Sequence, residues 1–373
     1  MRVLVVLTYY RPHISGLTIY AERQARALRA RGHEVTVLTS RFDPRLPRRE
    51  IADGVRVERV PVLARISKGV LMPSLGWRAT REVLRHDAVL LHLPQIDAAG
   101  IALRARALGR PTVVVYHCDL RLPRGLHYWL AERAVGWAHD VALRAADHVV
   151  THSDDFAAHS SRLRRCAARV VAVPPPVPAE SPPAARTPPR PPVIGMATRF
   201  ASEKGVSVLL EALPRVFARV PDATVLFAGP VDDVWGEAEL RARLLPRIAP
   251  LEAAGRWRFT GVLPDDAMPA FYRRLSVLAV PSLNSTESFG LVQIEAMLRG
   301  VPVVASDLPG VRQPIRLTGF GAVVPVGDAA ALADALVAQI ERPAGPRQPL
   351  AELAHHFSPD EHAVAIERLL RAR

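Results

Sequence analysis

The chain has 373 residues, enough for two domains, and 49% of them are apolar, so a large buried core is available. Two cysteines, Cys118 and Cys166, exclude a disulfide framework and suit a reducing cytoplasm, and no apolar stretch approaches the roughly 18–20 residues of a membrane span. The formal net charge of +13 lies wholly in residues 1–175, which hold 28 basic and 15 acidic residues against 21 and 21 beyond them. A half so charged reads either as a solvated arginine surface or as a face for something anionic, such as a phospholipid surface, a lipid phosphate or an acidic acceptor. No zinc-finger spacing or RNA-binding signature is present and aromatic residues are few, so nucleic acid is not the expected partner.

The apolar run Val3–Leu7 is too short for a signal-peptide core and reads as a first strand. The helical stretch "LTIYAERQARALRARG" follows it, with Gly16 at the strand-to-helix turn, and "HEVTVLTS" is the next strand. Lys68, in "ARISKGV", is one of only two lysines beside 47 arginines, which makes it a candidate acceptor contact as well as an ordinary surface residue. "DAVLLHLP", "PTVVVYHCD" and "DHVVTHS" continue the strands, and His117 ends the second of these. Residues 122–148 read as a long helix carrying Trp129 and Trp137 among arginines. The two tryptophans read as core packing against the sheet, the alternative being a basic helix at a membrane interface.

Half of residues 173–192 are proline, which neither a helix nor a central strand tolerates, so 176–192 is read as a stiff linker between domains 1–175 and 193–355. A last helix is expected within 356–373, packing back on the first domain. Beyond the linker, "PVIGMATRF", "TVLFAGP", "WRFTG", "VLAVPS", "VPVVASD" and "GAVVPVG" are strands with helical segments between them. Continuous β-branched runs suit strands buried on both faces, and their alternation with helices implies parallel sheets. The predicted fold class is α/β, two doubly wound Rossmann-like domains whose loops face a central cleft.

Arg199 and Lys204 fall between a strand's carboxyl end and a helix start, where two cations and the exposed amides of the helix suit a diphosphate. Arginine supplies a planar fork and lysine a compact point charge, a reason for a lysine to stand where arginine is the default. Glu287 and Glu295 are eight residues apart, so the first lies in the loop before a helix and the second in its second turn. Between them Phe289, Gly290 and Leu291 form the helix start, and Gly290 permits close backbone approach. A carboxylate is a good acceptor for a sugar diol, so one glutamate suits a ribose and the other a hexose.

These blocks, "ATRFASEKGV", "ESFGLVQIEAMLRGVPVVASDLPG" and "GFGAVVPVGDAAALADAL", resemble the donor half of the retaining glycosyltransferases of family 4, two-domain enzymes of the GT-B fold. The resemblance covers nearly the whole chain. It implies that Arg199 and Lys204 bind the donor diphosphate, that Glu295 holds the nucleotide ribose, and that Glu287 contacts the transferred sugar with the amides around Phe289–Leu291. It implies further that the base lies near Gly261 and Val262, that His117 contacts the transferred sugar, and that Gly16 packs against the phosphates. The family shows two glycines at that turn, and here Ser15 replaces one. The implied reaction moves a hexose from a UDP- or GDP-sugar to an acceptor hydroxyl with retention. No cofactor or metal is implied, the nucleotide sugar being a substrate, and the setting is cytoplasmic or peripheral on the inner face of a membrane. A sugar-nucleotide epimerase would share the fold, and a non-enzymatic basic membrane-surface protein would leave the glutamates and Lys204 idle. A dinucleotide oxidoreductase fits poorly, since no Gly-x-Gly-x-x-Gly follows either first strand.

Overall fold

The computed structural model describes residues 1–66, 69–120, 126–179, 188–232 and 234–372, so Lys68 lies outside the described residues. The chain forms two compact units, the first of residues 1–176 with 357–373 and the second of residues 177–356.

The first unit holds strands β1 (Arg2–Val6), β2 (Glu34–Arg41), β3 (Arg49–Ala52), β4 (Val55–Pro61), β5 (Ala64–Ile66), β6 (Gly69–Leu71), β7 (Ala88–Leu93), β8 (Thr112–Tyr116), β9 (His148–Thr151) and β10 (Val170–Ala172). Its helices are α1 (Gly16–Ala30), α2 (Leu75–Arg85), α3 (Ala98–Ala107), α4 (Leu126–Ala145), α5 (Asp154–His159) and α6 (Ser161–Arg164). The main sheet runs β10-β9-β8-β7-β1-β2-β4-β3, parallel except where β3 meets β4. Every residue of β7 and β8 is buried, as expected of Val- and Leu-rich strands covered on both faces.

The second unit holds β11 (Val193–Ala197), β12 (Thr224–Ala228), β13 (Trp257–Phe259), β14 (Val277–Val280), β15 (Val303–Ser306) and β16 (Gly321–Val324). Its helices are α7 (Val206–Arg219), α8 (Ala238–Ala253), α9 (Met268–Arg273), α10 (Leu291–Met297), α11 (Gln313–Thr318), α12 (Ala329–Glu341) and α13 (Leu350–His356). The sheet is wholly parallel in the order β13-β12-β11-β14-β15-β16. Counted from β11, this is the 3-2-1-4-5-6 order of the doubly wound dinucleotide fold, with its reversal between β11 and β14. Ile194, Phe200, Leu209, Val225, Phe227 and Leu336 lie in its core.

The last helix, α14 (Pro359–Arg371), belongs to the first unit and lies against α1. Arg31 donates to Asp360 and to both oxygens of Glu367, His33 lies 2.7 Å from Glu367, and His362 lies 3.0 Å from Gln24.

One expectation is corrected. Trp129 and Trp137 on α4 do not pack against the sheet: they are 53% and 64% exposed, and the Arg133 guanidinium sits over the Trp129 ring. The apolar stripe of α4 that reaches the sheet runs instead through residues such as Ala138, Ala142 and Leu143. A tryptophan in a helical repeat does not by its size declare which side of the helix faces the core.

Candidate functional site

In the second unit the loops after β11 and β14 leave the sheet side by side, because these strands are neighbours at the reversal. A short 3₁₀ turn, Ser202–Lys204, ends at Gly205, whose φ of +72° carries the chain into α7. Leu283 N–H donates to Glu203 O at 2.9 Å, binding the two loops together. Across that contact Lys204 Nζ donates to Glu287 Oε2 at 2.6 Å, with side chains 14% and 21% exposed. The fold thus brings together two of the residues singled out from the sequence. Arg199, two residues past the end of β11, donates to Glu203 Oε1 at 2.9 Å. The Ser202 amide donates to Glu237 Oε2 at 3.0 Å, a buried carboxylate that steadies the turn.

Gly205 is required here for two reasons. Its φ lies where a side chain is disfavoured, and a Cβ would overlap the Pro281 carbonyl oxygen. Gly205→Ala is expected to destabilise the second unit by about 2–5 kcal/mol, summing left-handed strain and overpacking. Urea unfolding measures this, and a stability equal to wild type would refute the close approach.

Gly290, with φ +79°, opens α10, and Phe289 before it is buried. Gln293 lies wholly inside and donates from Nε2 to Phe289 O at 2.7 Å and Val311 O at 2.8 Å, holding the backbone of the loop. Leu291 is the first helical residue. Glu295 follows one turn on, 8% exposed, and its Oε2 accepts the Tyr272 hydroxyl proton at 2.6 Å. A carboxylate in such an apolar setting keeps its orientation through that bond. Val262, after β13, is 47% exposed, and the preceding Gly261 O accepts from Gly229 N at 2.9 Å.

Four supporting residues escaped the sequence reading. Glu203 had a signal, four places after Arg199. Gln293, Glu237 and Tyr272 had none, since their partners Val311, Ser202 and Glu295 lie 18, 35 and 23 residues away through folds of the loops.

In the first unit Ser15 caps α1, its Oγ accepting from Thr18 N at 3.2 Å, which gives a local reason for a serine beside Gly16. A Cβ on Gly16 would meet no atom within 4 Å. His117, just past β8, is 7% exposed and is the middle of a histidine chain. Its Nε2 lies 2.9 Å from His92 Nδ1 and its Nδ1 lies 3.1 Å from His152 Nε2. The three come from the ends of adjacent strands β7, β8 and β9. The Tyr20 ring packs against His92, His117, His152 and His362. Burial, reinforced by the charge each would impose on the others, pushes His92 and His152 down to about 3 and His117 well below its ordinary value. His117 is therefore neutral at pH 7, one ring nitrogen donating and the other accepting. Among the described residues, no helix is long and apolar enough to cross a membrane.

The chain is similar to known proteins over most of its length. The family model "Glycosyl transferase 4-like domain" matches residues 15–176 and "Glycosyl transferases group 1" matches residues 191–342. The chain is 30% identical over 345 residues to a phosphatidyl-myo-inositol mannosyltransferase of Mycobacterium leprae, covering 91% of this chain and 87% of that one. It is 31% identical over 349 residues to a 2-deoxystreptamine N-acetyl-D-glucosaminyltransferase of Streptomyces fradiae, covering 86% and 81%. Among solved structures, the sucrose-phosphate synthase of Thermosynechococcus elongatus superposes with a TM-score of 0.76 at 21% identity, over 99% of this chain and 98% of that one. The architecture is that of the GT-B fold.

Proposed function

The chain belongs to the glycosyl transferases of group 1, and from that premise we propose that it moves a hexose from a UDP- or GDP-sugar to an acceptor hydroxyl, with retention and without a metal. The observation that carries this reading is the Lys204–Glu287 pair at the reversal of strand order, where doubly wound folds place their ligands. As the bond from the sugar's anomeric carbon to the diphosphate breaks, its electron pair passes to the β-phosphate oxygen. Lys204 and Arg199 offset that growing charge, the largest catalytic contribution expected of these side chains. Glu287 accepts a hydroxyl of the transferred sugar, and Glu295, oriented by Tyr272, accepts the ribose hydroxyls. The acceptor's hydroxyl proton passes to the departing diphosphate as the new glycosidic bond forms on the same face.

The first unit takes the acceptor in this reading, a lipid-linked or anionic molecule. Its excess positive charge and the exposed Trp129 and Trp137 support contact with an anionic membrane surface. Sedimentation with phosphatidylglycerol vesicles should fall as salt rises, and no binding at low salt would remove the membrane from the reading.

The test of the donor site is calorimetry with UDP and GDP in the presence of a chelator. One of the two is expected to bind in preference to the other. Absence of binding by either, with the protein folded, would overturn the proposed donors. Product analysis by anomeric-proton NMR then distinguishes retention from inversion.

A further inference from the structure

The two cations assigned to the diphosphate are not held in reserve for it. Arg199 Nη2 donates to Glu203 Oε1 at 2.9 Å, and Lys204 Nζ donates to Glu287 Oε2 at 2.6 Å. A third carboxylate, the buried Glu237, accepts from the Ser202 amide at 3.0 Å. Arg199 and Lys204 thus supply two positive charges, and Glu203, Glu237 and Glu287 supply three negative ones. The basic excess of the chain lies in its other half, in residues 1–175. An anion that enters this site meets cations whose charge is already compensated.

The three carboxylates differ in what they can do when a diphosphate arrives. Glu237 holds the backbone at the start of the 3₁₀ turn. Glu287 has a hydroxyl of the transferred sugar to accept from, so its charge has a second partner in the donor complex. Glu203 has neither task. It follows Arg199 by four residues, and its side chain is 9% exposed against 29% for the arginine. Its main chain is fixed, because Leu283 N–H donates to Glu203 O at 2.9 Å and the residue before it is held by Glu237. The Glu203 carboxylate therefore stays beside Arg199.

A guanidinium has five N–H donors, so Arg199 can take a phosphate oxygen while it keeps Glu203. The phosphate then shares the arginine with a carboxylate. In a partly buried setting salt screens that repulsion only weakly.

We propose that Glu203 is an internal counter-anion that sets the strength of the diphosphate site. It pairs Arg199 before the diphosphate arrives, weakens the hold on it afterwards, and so speeds the departure of the nucleoside diphosphate. Product release limits turnover in many enzymes, and a site with two uncompensated cations would retain its product. Naming the diphosphate as part of donor and product rests on the transferase reading above; competition between Glu203 and an anion for Arg199 needs only the ion pair.

The test is calorimetric titration of the full chain with inorganic pyrophosphate, UDP and GDP, for wild type and Glu203→Gln. The amide keeps an acceptor for Arg199 and removes the charge. Glu203→Gln is expected to bind pyrophosphate and the preferred nucleoside diphosphate about three- to tenfold more tightly, the scale of one partly screened charge a few ångströms away. Uridine and guanosine, which carry no phosphate, should bind both proteins alike. In steady-state kinetics product inhibition by the nucleoside diphosphate should strengthen by the same factor, a gain that damage to the fold does not produce. Glu203→Ser is the second neutral variant, expected to shift affinity in the same direction. Equal or weaker diphosphate binding in both folded variants would overturn the proposal, and so would loss of the fold in both, which would assign the carboxylate to stability. The wild type keeps the two readings apart. Binding of pyrophosphate but of neither nucleotide leaves the anion site and its counter-anion open to the same comparison and removes the proposed donors. Binding of none of the three removes both.

Discussion

Lys204→Ala is expected to lower kcat/KM by about 10²–10³-fold, the loss usual when one preorganised group facing a developing oxyanion is removed. The ammonium is the compact cation at the β11–β14 reversal. Arg199 is tied to Glu203 on its own loop, and its fork is planar where Lys204 presents a point charge. The substitution also strands the Glu287 carboxylate, which loses a partner 2.6 Å away in a partly buried setting. Glu287→Ala is expected to cut turnover comparably while leaving Lys204 to bind diphosphate, so nucleotide affinity should fall in Lys204→Ala and hold in Glu287→Ala. Steady-state kinetics and calorimetry on both variants separate the two roles. Lys204→Met, which keeps the length of the side chain, controls for packing. Near-normal rates in both alanine variants would remove the pair from the chemistry.

Acid is expected to unfold the first unit well before ordinary carboxylates are protonated. His92, His117, His152 and His362 are buried around Tyr20, and burial pushes His92 and His152 to about 3 and His362 to about 4. His117 is lowered well below its ordinary value, by burial and then by the neighbouring imidazoles. Above pH 6.5 the folded and unfolded chains both hold these rings neutral, and they impose no pH dependence. Below 6.5 the unfolded chain takes up protons that the folded one refuses, so stability falls with pH until the folded values near 4 and 3 are reached. Each such ring costs about 1.4 kcal/mol per pH unit in that window, hence about 2 kcal/mol at pH 5. Two rings would already take about 4 kcal/mol from a total that is usually 5–15 kcal/mol. Asp97, raised by burial to about 6, opposes this by one proton as pH falls from 6 towards its unfolded value. Urea unfolding at pH 7.5, 6.0 and 5.0, followed by tryptophan fluorescence, measures the slope. His362→Gln should flatten it by about one proton, and a stability unchanged from pH 7.5 to 5.0 would contradict the buried neutral chain.

Much of the fold was legible because a parallel sheet writes itself into the residues. Strands covered on both faces need uninterrupted Val, Ile and Leu, and segments such as "AVLLHL" and "TVVVY" have no other economical reading. The site was legible in part for a different reason. One of only two lysines in an arginine background, a glycine before a helix and two glutamates around it are local facts, and Gly205 and Gly290 do adopt the left-handed backbone that asks for glycine.

What stayed hidden depends on which strand lies beside which. A strand buried on both faces carries no alternation, so nothing in its residues names its neighbour. Only the order β13-β12-β11-β14-β15-β16 brings the loops of Lys204 and Glu287, 83 residues apart, into one hydrogen bond. The same holds for His92, His117 and His152, each an ordinary strand-end histidine until β7, β8 and β9 lie side by side. Trp129 and Trp137 show the converse limit: their residue type suited the core, and the packing of α4 through its small residues turned both to solvent. Local pattern and backbone propensity are properties of neighbouring residues and can be read along the chain. Pairing, burial of charge and the facing of a helix are set by long-range packing, which takes shape when the sheets assemble.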